Sequence, residues 1–435
     1  MLRPRTLPAI LFAATLTAAA QAQTFTCGPA KHGDTALTAT TLFTDTTPGW
    51  DLHPAPAVAN GICSSTGDKQ PFYFSIPLPE GSYRVTTVLG GKEASVITIR
   101  SEVRRLMIEN LAIPAGKTVT KTFDVNTRLA DYIKPDGTPG KVALMRGRTV
   151  LDWDNKLTIE FNGANPSVRS ITITPLNGAK HEPTLYLIGD STVVDQDIEP
   201  WTAWGQQLPR FFLPGVVVAN HAESGETAKG FVSQQRIAKI MSLIQPGDYL
   251  FMQFAHNDQK PATKEPIDMY KQLLTDFITQ ARAKGAIPVV VTSMNRNMWD
   301  DTGHIQDTLG GYPQAAREVA ADTKTALIDL NAMSKTFFET LGNPGSEKAF
   351  MHIPANSYQN QSAAINDNTH FNEYGAYELA RCIVHGIRED KLPIAKFLDP
   401  SVPDFDPAHP DPVNKFSLPI TPLHTPQDVS KVPQT

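Results

Sequence analysis

The spacing of apolar residues changes character near the middle of the chain. Between Thr24 and about Pro175, short runs rich in β-branched and aromatic residues recur at 72–74, 83–89, 95–99, 123–125, 157–161 and 168–174. Turn-forming triplets punctuate them, namely Pro79-Glu80-Gly81, Pro114-Ala115-Gly116 and Pro135-Asp136-Gly137, with Asn162-Gly163 as a further break. Many short strands with turn signals between them predict an antiparallel all-β sandwich. In 157–161 apolar and polar residues alternate, which predicts one buried face and one wet face.

Beyond Pro175-Leu176-Asn177-Gly178 a linker reaches Pro183. Continuous apolar runs at 184–188, 216–219, 249–254, 287–291 and 326–330 then alternate with amphipathic stretches such as 266–284 and 312–324. Continuous runs suit strands covered on both faces. Five strand–helix units predict an α/β fold of flavodoxin-like, three-layer α/β/α type with five parallel strands. Past Ile394, prolines recur from Pro400 to Pro433, which predicts either a disordered tail or an extended one packed on the surface with Phe405, Phe416 and Leu418 as candidate anchors. The expected division is a sandwich over 23–178, an α/β domain over 183–395 and a tail over 396–435.

Composition narrows the class. A chain of 435 residues exceeds one ordinary core, in keeping with two domains. A net charge of −5 without a large basic block argues against nucleic acid as a partner. Arg3 and Arg5, an apolar run over 7–20 and Ala20-Gln21-Ala22 read as a cleavable signal peptide over 1–22. That run is shorter than the ~20 residues a membrane span needs. The expectation is a secreted or periplasmic monomer with no membrane partner. Export favours a Cys27–Cys63 disulfide over two separate buried thiols, while Cys382 lies in an apolar helical run and reads as core. No Cys-x-x-Cys or His-Glu-x-x-His spacing occurs, so neither a metal nor a cofactor is expected.

Candidate chemistry gathers at predicted strand ends. Gly189-Asp190-Ser191-Thr192 follows the first α/β strand, 220–228 with Gly225 the second, and Ala255-His256-Asn257-Asp258 the third. Far downstream, Asp367-Asn368-Thr369-His370 leads into a predicted helix over 373–387. In a parallel sheet the first three sites converge on one edge, and Asp367 and His370 can share one side of a helical turn. Ser191 alone is a weak nucleophile. His370 can take its proton, and Asp367 can hold the imidazole's tautomer. The backbone N–H groups of Ser191 and Gly225 and the amide of Asn257 can serve as oxyanion donors. Each element alone is commonly turn or cap chemistry. Their ordered combination is not.

That ordered set resembles the SGNH (GDSL-type) hydrolases and, within them, the rhamnogalacturonan acetylesterase family. Trp204-Gly205-Gln206, Gly225-Glu226-Thr227-Ala228, Phe254 to Asp258, Asp307 to Pro313 and Asp367 to Phe371 carry the closer likeness, which extends from about Glu182 to Asp390. The resemblance implies Ser191 as nucleophile, His370 as base, Asp367 as its partner, and Ser191, Gly225 and Asn257 as the oxyanion hole. Ala255 stands where the family usually has glycine, and Glu226 where a basic residue often follows the glycine. The sandwich resembles, more loosely, galactose-binding-like domains. The function implied is removal of acetyl groups from a plant cell-wall polysaccharide, most specifically rhamnogalacturonan in pectin. The alternatives are an acetylxylan, broad-specificity or lipase-like esterase, and a non-catalytic carbohydrate-binding protein. Trp201, His256, Asn295 and Arg296 are the candidate substrate contacts, with bracing of its own loop the alternative for His256, while His304 and His352 read as surface histidines.

Overall fold

The computed structural model describes residues 21–422 apart from 32, 53, 68–69, 145–150, 179–180 and 359–360. All of the expected signal peptide except Gln21 and Ala22 lies outside the described residues, as does the tail beyond 422. Among the described residues no helix is long and apolar enough to cross a membrane.

In the first half two β-sheets face each other. One runs, in spatial order, Val119–Thr127, Gly81–Leu89, Ser167–Pro175, Gln23–Cys27 and Thr35–Leu37, with Ile62–Ser64 and Ala57–Ala59 added beside Ser167–Pro175. The other runs Gly49–Asp51, Phe72–Pro77, Lys156–Ala164, Ser95–Ser101 and Arg105–Ile113. Phe25, Phe74, Val85, Ile97, Phe161 and Ile171 fill the space between them. Pairing is antiparallel except between Gln23–Cys27 and Thr35–Leu37, which run parallel. A disulfide joins Cys27 to Cys63.

Strand Lys156–Ala164 has no wet face. Thr158, Glu160 and Asn162 are all at most 3% exposed. Glu160 lies 3.6 Å from Arg100 and accepts from the Thr421 hydroxyl, while the Asn162 amide donates to the Ile420 carbonyl at 2.9 Å. The alternation recorded a polar face correctly, but tertiary pairing satisfies it where water was expected. Strand Arg105–Ile113 escaped the sequence pattern. Its charged start and Asn110, at φ 39°, break the β signal.

The second half is built on a five-stranded parallel sheet in the order Val217–Asn220, Thr184–Gly189, Tyr249–Gln253, Ile287–Val291, Ala326–Ile328. In sequence order that is 2-1-3-4-5, which places the reversal of strand order, and hence the ligand edge, beside the first strand. Alternate residues of that strand feed two cores: Leu185 and Leu187 one, Tyr186 and Ile188 the other. Helices α2 (Ala228–Ser233), α3 (Arg236–Leu243), α4 (Ile267–Ala283) and α5 (Tyr312–Asp322) cover one face. Helices α1 (Trp204–Gln207), α6 (Leu330–Leu341) and α7 (Glu373–Glu389) cover the other. An antiparallel hairpin, Phe350–Ile353 with Ile365–Phe371, precedes α7. The described tail packs back on the protein, with Phe405 and Leu418 buried and Phe416 against Tyr374 and Tyr377.

Replacing both Cys27 and Cys63 by Ser frees a loop closed over a sequence separation of 36, which in the chain-entropy account lowers stability by about 4 kcal/mol. The expected result is a lower urea midpoint for the double variant and no further drop when reductant is added. Equal midpoints for variant and oxidised wild type would contradict it.

Candidate active site

Gly189 ends the first strand, and the next residues form a tight turn. Asp190 Oδ1 accepts from the Thr192 N–H at 3.0 Å and the Thr192 hydroxyl at 2.7 Å, and the Asp190 carbonyl accepts from the Val193 and Val194 N–H groups. Short Asx geometry of this kind fixes the intervening residue, here Ser191. No helix follows at once: the chain runs irregularly to α1, with Asp195, Gln196 and Glu199 all buried along it.

Ser191 Oγ lies 2.8 Å from His370 Nε2, and His370 Nδ1 lies 2.7 Å from Asp367 Oδ2. The Asp–His pair sits on strand Ile365–Phe371, not on the helical turn expected from its spacing. In a regular strand, residues three apart point to opposite faces. Here the pairing jumps from Phe350↔Phe371 to Met351↔Asp367, so Asn368, Thr369 and His370 bulge out of the ladder. Asp367 Oδ1 closes the bulge by accepting from the Thr369 and His370 N–H groups at 2.7 and 3.1 Å. Asn372, not Asp367, caps α7 by accepting from the Gly375 N–H. Burial pushes the Asp367 carboxyl up, but hydrogen bonds from His370 and Thr369 outweigh it and hold the group below its ordinary value. An ionised Asp367 is an acceptor, so Nδ1 carries the imidazole proton and Nε2 is free to accept from Ser191.

Two further loops meet the serine. Gly225 has φ 81°, a region where a side chain is strained. Asn257 donates one amide hydrogen to the Glu226 carbonyl at 2.9 Å, leaving the other to point elsewhere. Among the described residues the Ser191 and Gly225 N–H groups have no backbone acceptor. Three donors thus stand unengaged at the loops around one hydroxyl. Ala255 is absent from the positive-φ residues, so its substitution for glycine introduces no backbone strain. The Glu226 carboxyl is buried beside Gly230 at the start of α2.

Beneath the site lies a polar relay that the sequence did not suggest. Trp204 Nε1 donates to Gln253 Oε1 at 2.8 Å, Gln253 Nε2 donates to the Thr192 hydroxyl at 2.7 Å, and Thr192 bonds to Asp190. The only hint was Gln253, a polar residue ending an apolar strand. His256 Nδ1 is 3.5 Å from Asp190 Oδ2 and its ring is 1% exposed. Burial lowers the imidazole's pKa despite Asp190. His256 therefore braces Asp190 and is not an open sugar contact.

Other candidates also need correcting. The Asn295 amide is engaged by the Asn331 carbonyl and the Ser334 hydroxyl of α6. Trp201 is 6% exposed in a cluster with Ile198, Met351 and Ile365, so it presents no open face. His352 is not a bare surface group, since its Nε2 lies 2.7 Å from Asn368 Oδ1. Arg296 does belong to the site. It donates to the Thr369 hydroxyl, the Thr308 carbonyl and the His256 carbonyl, each at 3.2 Å, and so ties three site loops together. Lys260, missed in the sequence, follows Asn257 by three residues, and its half-buried ammonium is within Coulomb reach of Arg296, Asp190 and Asp367. Metal-ligand geometry occurs among the described residues at His385, Glu389 and Asp404, but Arg388 already supplies Asp404 with a cation at 3.2 Å.

A model of the GDSL-like lipase/acylhydrolase family matches residues 187–376. Over 216 residues the chain is 42% identical to rhamnogalacturonan acetylesterase RhgT of Bacillus subtilis (strain 168), covering 93% of that protein and 49% of this chain. The chain belongs to the GDSL-like lipase/acylhydrolase family. It is a serine esterase. The esterase is also 24% identical over 247 residues to the rhamnogalacturonan acetylesterase of Emericella nidulans, covering 91% of that protein and 51% of this chain. Among solved structures, the crystal structure of protein YxiM from Bacillus subtilis is similar at 22% identity and a TM-score of 0.47, over 86% of this chain and 99% of that one.

Next to Asn257, Asp258 is fully buried. Its Oδ1 accepts from the Ala228 N–H at 2.8 Å, and burial pushes its pKa up to about 7. A carboxyl raised in the folded state binds its proton there while the unfolded chain has already lost it. Its contribution to stability is therefore present below about pH 4 and declines as pH rises towards 7. Asp190 and Asp367, held low, act oppositely, and their contribution is lost only below about pH 4. The melting temperature should fall between pH 5 and pH 7.5, with a shallower slope in Asp258→Asn. An unchanged slope in that variant would contradict the assignment.

Proposed function

We propose that the esterase is an exported carbohydrate O-acetylesterase that removes acetyl groups from pectin, specifically from a rhamnogalacturonan backbone. The observation that carries the reading is the continuous pair of hydrogen bonds from Ser191 through His370 to Asp367. Ser191 Oγ attacks the acetyl carbonyl carbon while His370 Nε2 takes the hydroxyl proton. Charge developing on the carbonyl oxygen is met by the Ser191 and Gly225 N–H groups and the free amide hydrogen of Asn257. His370 then returns the proton to the departing sugar oxygen, leaving acetyl-Ser191. Water, deprotonated by His370, attacks this ester, and acetate leaves as the proton returns to Ser191. Asp367 stays ionised throughout and keeps the imidazole in the accepting tautomer.

Two features support an acidic polysaccharide. Both relatives named above carry rhamnogalacturonan in their names. In addition, Lys260 and Arg296 place two cations on the loops that frame Ser191, with no carboxylate in an ion pair with either among the described residues. Two cations near a nucleophile attract a uronate carboxylate by charge and hydrogen bonding. Glu226 does not oppose this, because its carboxyl is buried under α2.

Ser191→Ala should abolish acetate release from p-nitrophenyl acetate with the fold intact, and retained turnover would sink the nucleophile assignment. Asn257→Ala should lower kcat by roughly 10²–10³-fold, whereas a change in KM alone would make Asn257 a binding group. For the substrate, wild type should prefer acetylated rhamnogalacturonan oligomers to carboxyl-reduced ones, with a ratio of kcat/KM values that falls about fivefold in Lys260→Gln. An equal ratio in both enzymes would remove Lys260 from substrate recognition.

A further inference from the structure

The segment between Gly189 and Trp204 carries Ser191 yet contains neither helix nor strand. A segment without internal hydrogen-bond ladders takes its shape from whatever it packs against. Here much of that partner is the sandwich. The turn between strands Ser95–Ser101 and Arg105–Ile113 presents Val103, Arg104 and Arg105, each at most 5% exposed.

Two chains of contact lead from this turn to the reacting groups. In the first, Arg104 Nη1 donates to the carbonyls of Trp201 at 2.8 Å and Gln196 at 3.3 Å. Gln206 Nε2 joins the Gln196 carbonyl to the Val103 carbonyl at 2.9 and 2.8 Å. Gln196, fixed from both sides, donates its side-chain amide to the Ser191 carbonyl at 2.8 Å. In the second, Arg105 Nε donates to Asp195 Oδ2 at 2.7 Å, and Arg128 reaches the same oxygen at 3.2 Å. Asp195 Oδ1 accepts from Asn220 Nδ2 at 2.8 Å, and Asn220 Nδ2 also donates to the Val193 carbonyl at 2.7 Å. Asn220 ends the strand that leads to Gly225. One chain therefore sets the backbone of the serine, and the other sets the spacing between the serine loop and the second oxyanion loop.

We propose that this sandwich turn is a positioning element for the nucleophile, with Arg105 as its principal residue. The inference rests on the reading of Ser191 as nucleophile. Arg105 touches neither substrate nor the triad and acts through Asp195. Arg84, by contrast, pairs with Asp124 and with Glu182 of the linker at 2.8 and 2.6 Å and touches neither chain of contact. An interface that served packing alone would be indifferent to which of its charges was removed. This one should not be.

The test uses the full chain with Arg105→Ala, Arg105→Lys, Gln196→Ala and, as an interface control, Arg84→Ala. Each is assayed for kcat and KM on p-nitrophenyl acetate, for the second-order rate of Ser191 phosphonylation by a fluorophosphonate, and for melting temperature. Rates are expressed per phosphonylated serine, so that misfolded molecules do not count. Arg105→Ala should lose about tenfold or more in kcat and in phosphonylation rate, with KM within about twofold. Arg105→Lys should recover most of that loss, since an ammonium can still pair with Asp195. Arg84→Ala should lower melting temperature and leave both rates as in wild type. Should Arg105→Ala fail to fold, Gln196→Ala carries the same expectation for the first contact chain. Rates per reactive serine equal to wild type in the folded variants, whatever their melting temperatures, would overturn the proposal. Failure of wild-type Ser191 to react with the fluorophosphonate would instead overturn the nucleophile assignment on which it stands.

Discussion

A carboxylate with no access to water must be matched inside the protein or be protonated, and Asp195 is such a group. It is fully buried, grips Arg105 and Arg128 of the sandwich with one oxygen, and holds Asn220 of the α/β half with the other. Separating the halves would leave Asp195 without either cation and Arg105 without its carboxylate, while Arg128 would keep Asp152 of its own half, and breaking a buried pair typically costs several kcal/mol. The same logic extends along the contact. Arg100 meets Glu373 at 2.8 Å, Arg104 meets Glu199 at 3.4 Å, and the tail closes over them as the Thr421 N–H bonds Glu199. Sandwich, esterase domain and tail are thus one electrostatic unit around the base of the active-site loop.

This constraint explains why the polar face of strand Lys156–Ala164 is dry. Thr158, Glu160 and Asn162 would suit water, but they suit the arginine layer and the returning tail equally well, and those partners are what they meet. Buried polar networks of this kind contribute little net stability compared with an apolar interface of the same shape. Their contribution is geometric: hydrogen bonds have direction, and dispersion contacts do not.

What was legible in the sequence follows from range. Strand ends followed by Gly-Asp-Ser, by Gly225 and by Asn257-Asp258 depend on local patterns: an apolar run, then a residue chosen for its turn or its donor. The parallel α/β class follows from those runs alternating with amphipathic stretches, whereas the strand order comes from the structure. Asp367 and His370 were legible for the wrong reason. Their spacing suited a helical turn, whereas a bulged strand closed by Asp367 itself brings them together. Arg104, Arg105 and Arg128 left no local trace, because their partners lie from 21 to 269 residues away. Asn295 and Trp201 were misread because proximity to a site in sequence does not decide which way a side chain turns, and for His256 the same cause selects bracing over substrate contact.

The remaining question is why a hydrolase domain should borrow half a chain to hold one loop. The match to RhgT takes in 93% of that protein but only 49% of this one, so about half of this chain has no counterpart there. In this chain Gln196 offers Arg104 only its backbone carbonyl, but Asp195 and Glu199 are buried and bonded by their side chains to the sandwich or the tail. Those residues would be poor choices for a loop packed only on its own domain, since each would need an internal partner in place of the arginines. The dependence therefore runs both ways. The sandwich turn fits the serine loop, and the serine loop carries two carboxylates, Asp195 and Glu199, whose cations the sandwich supplies.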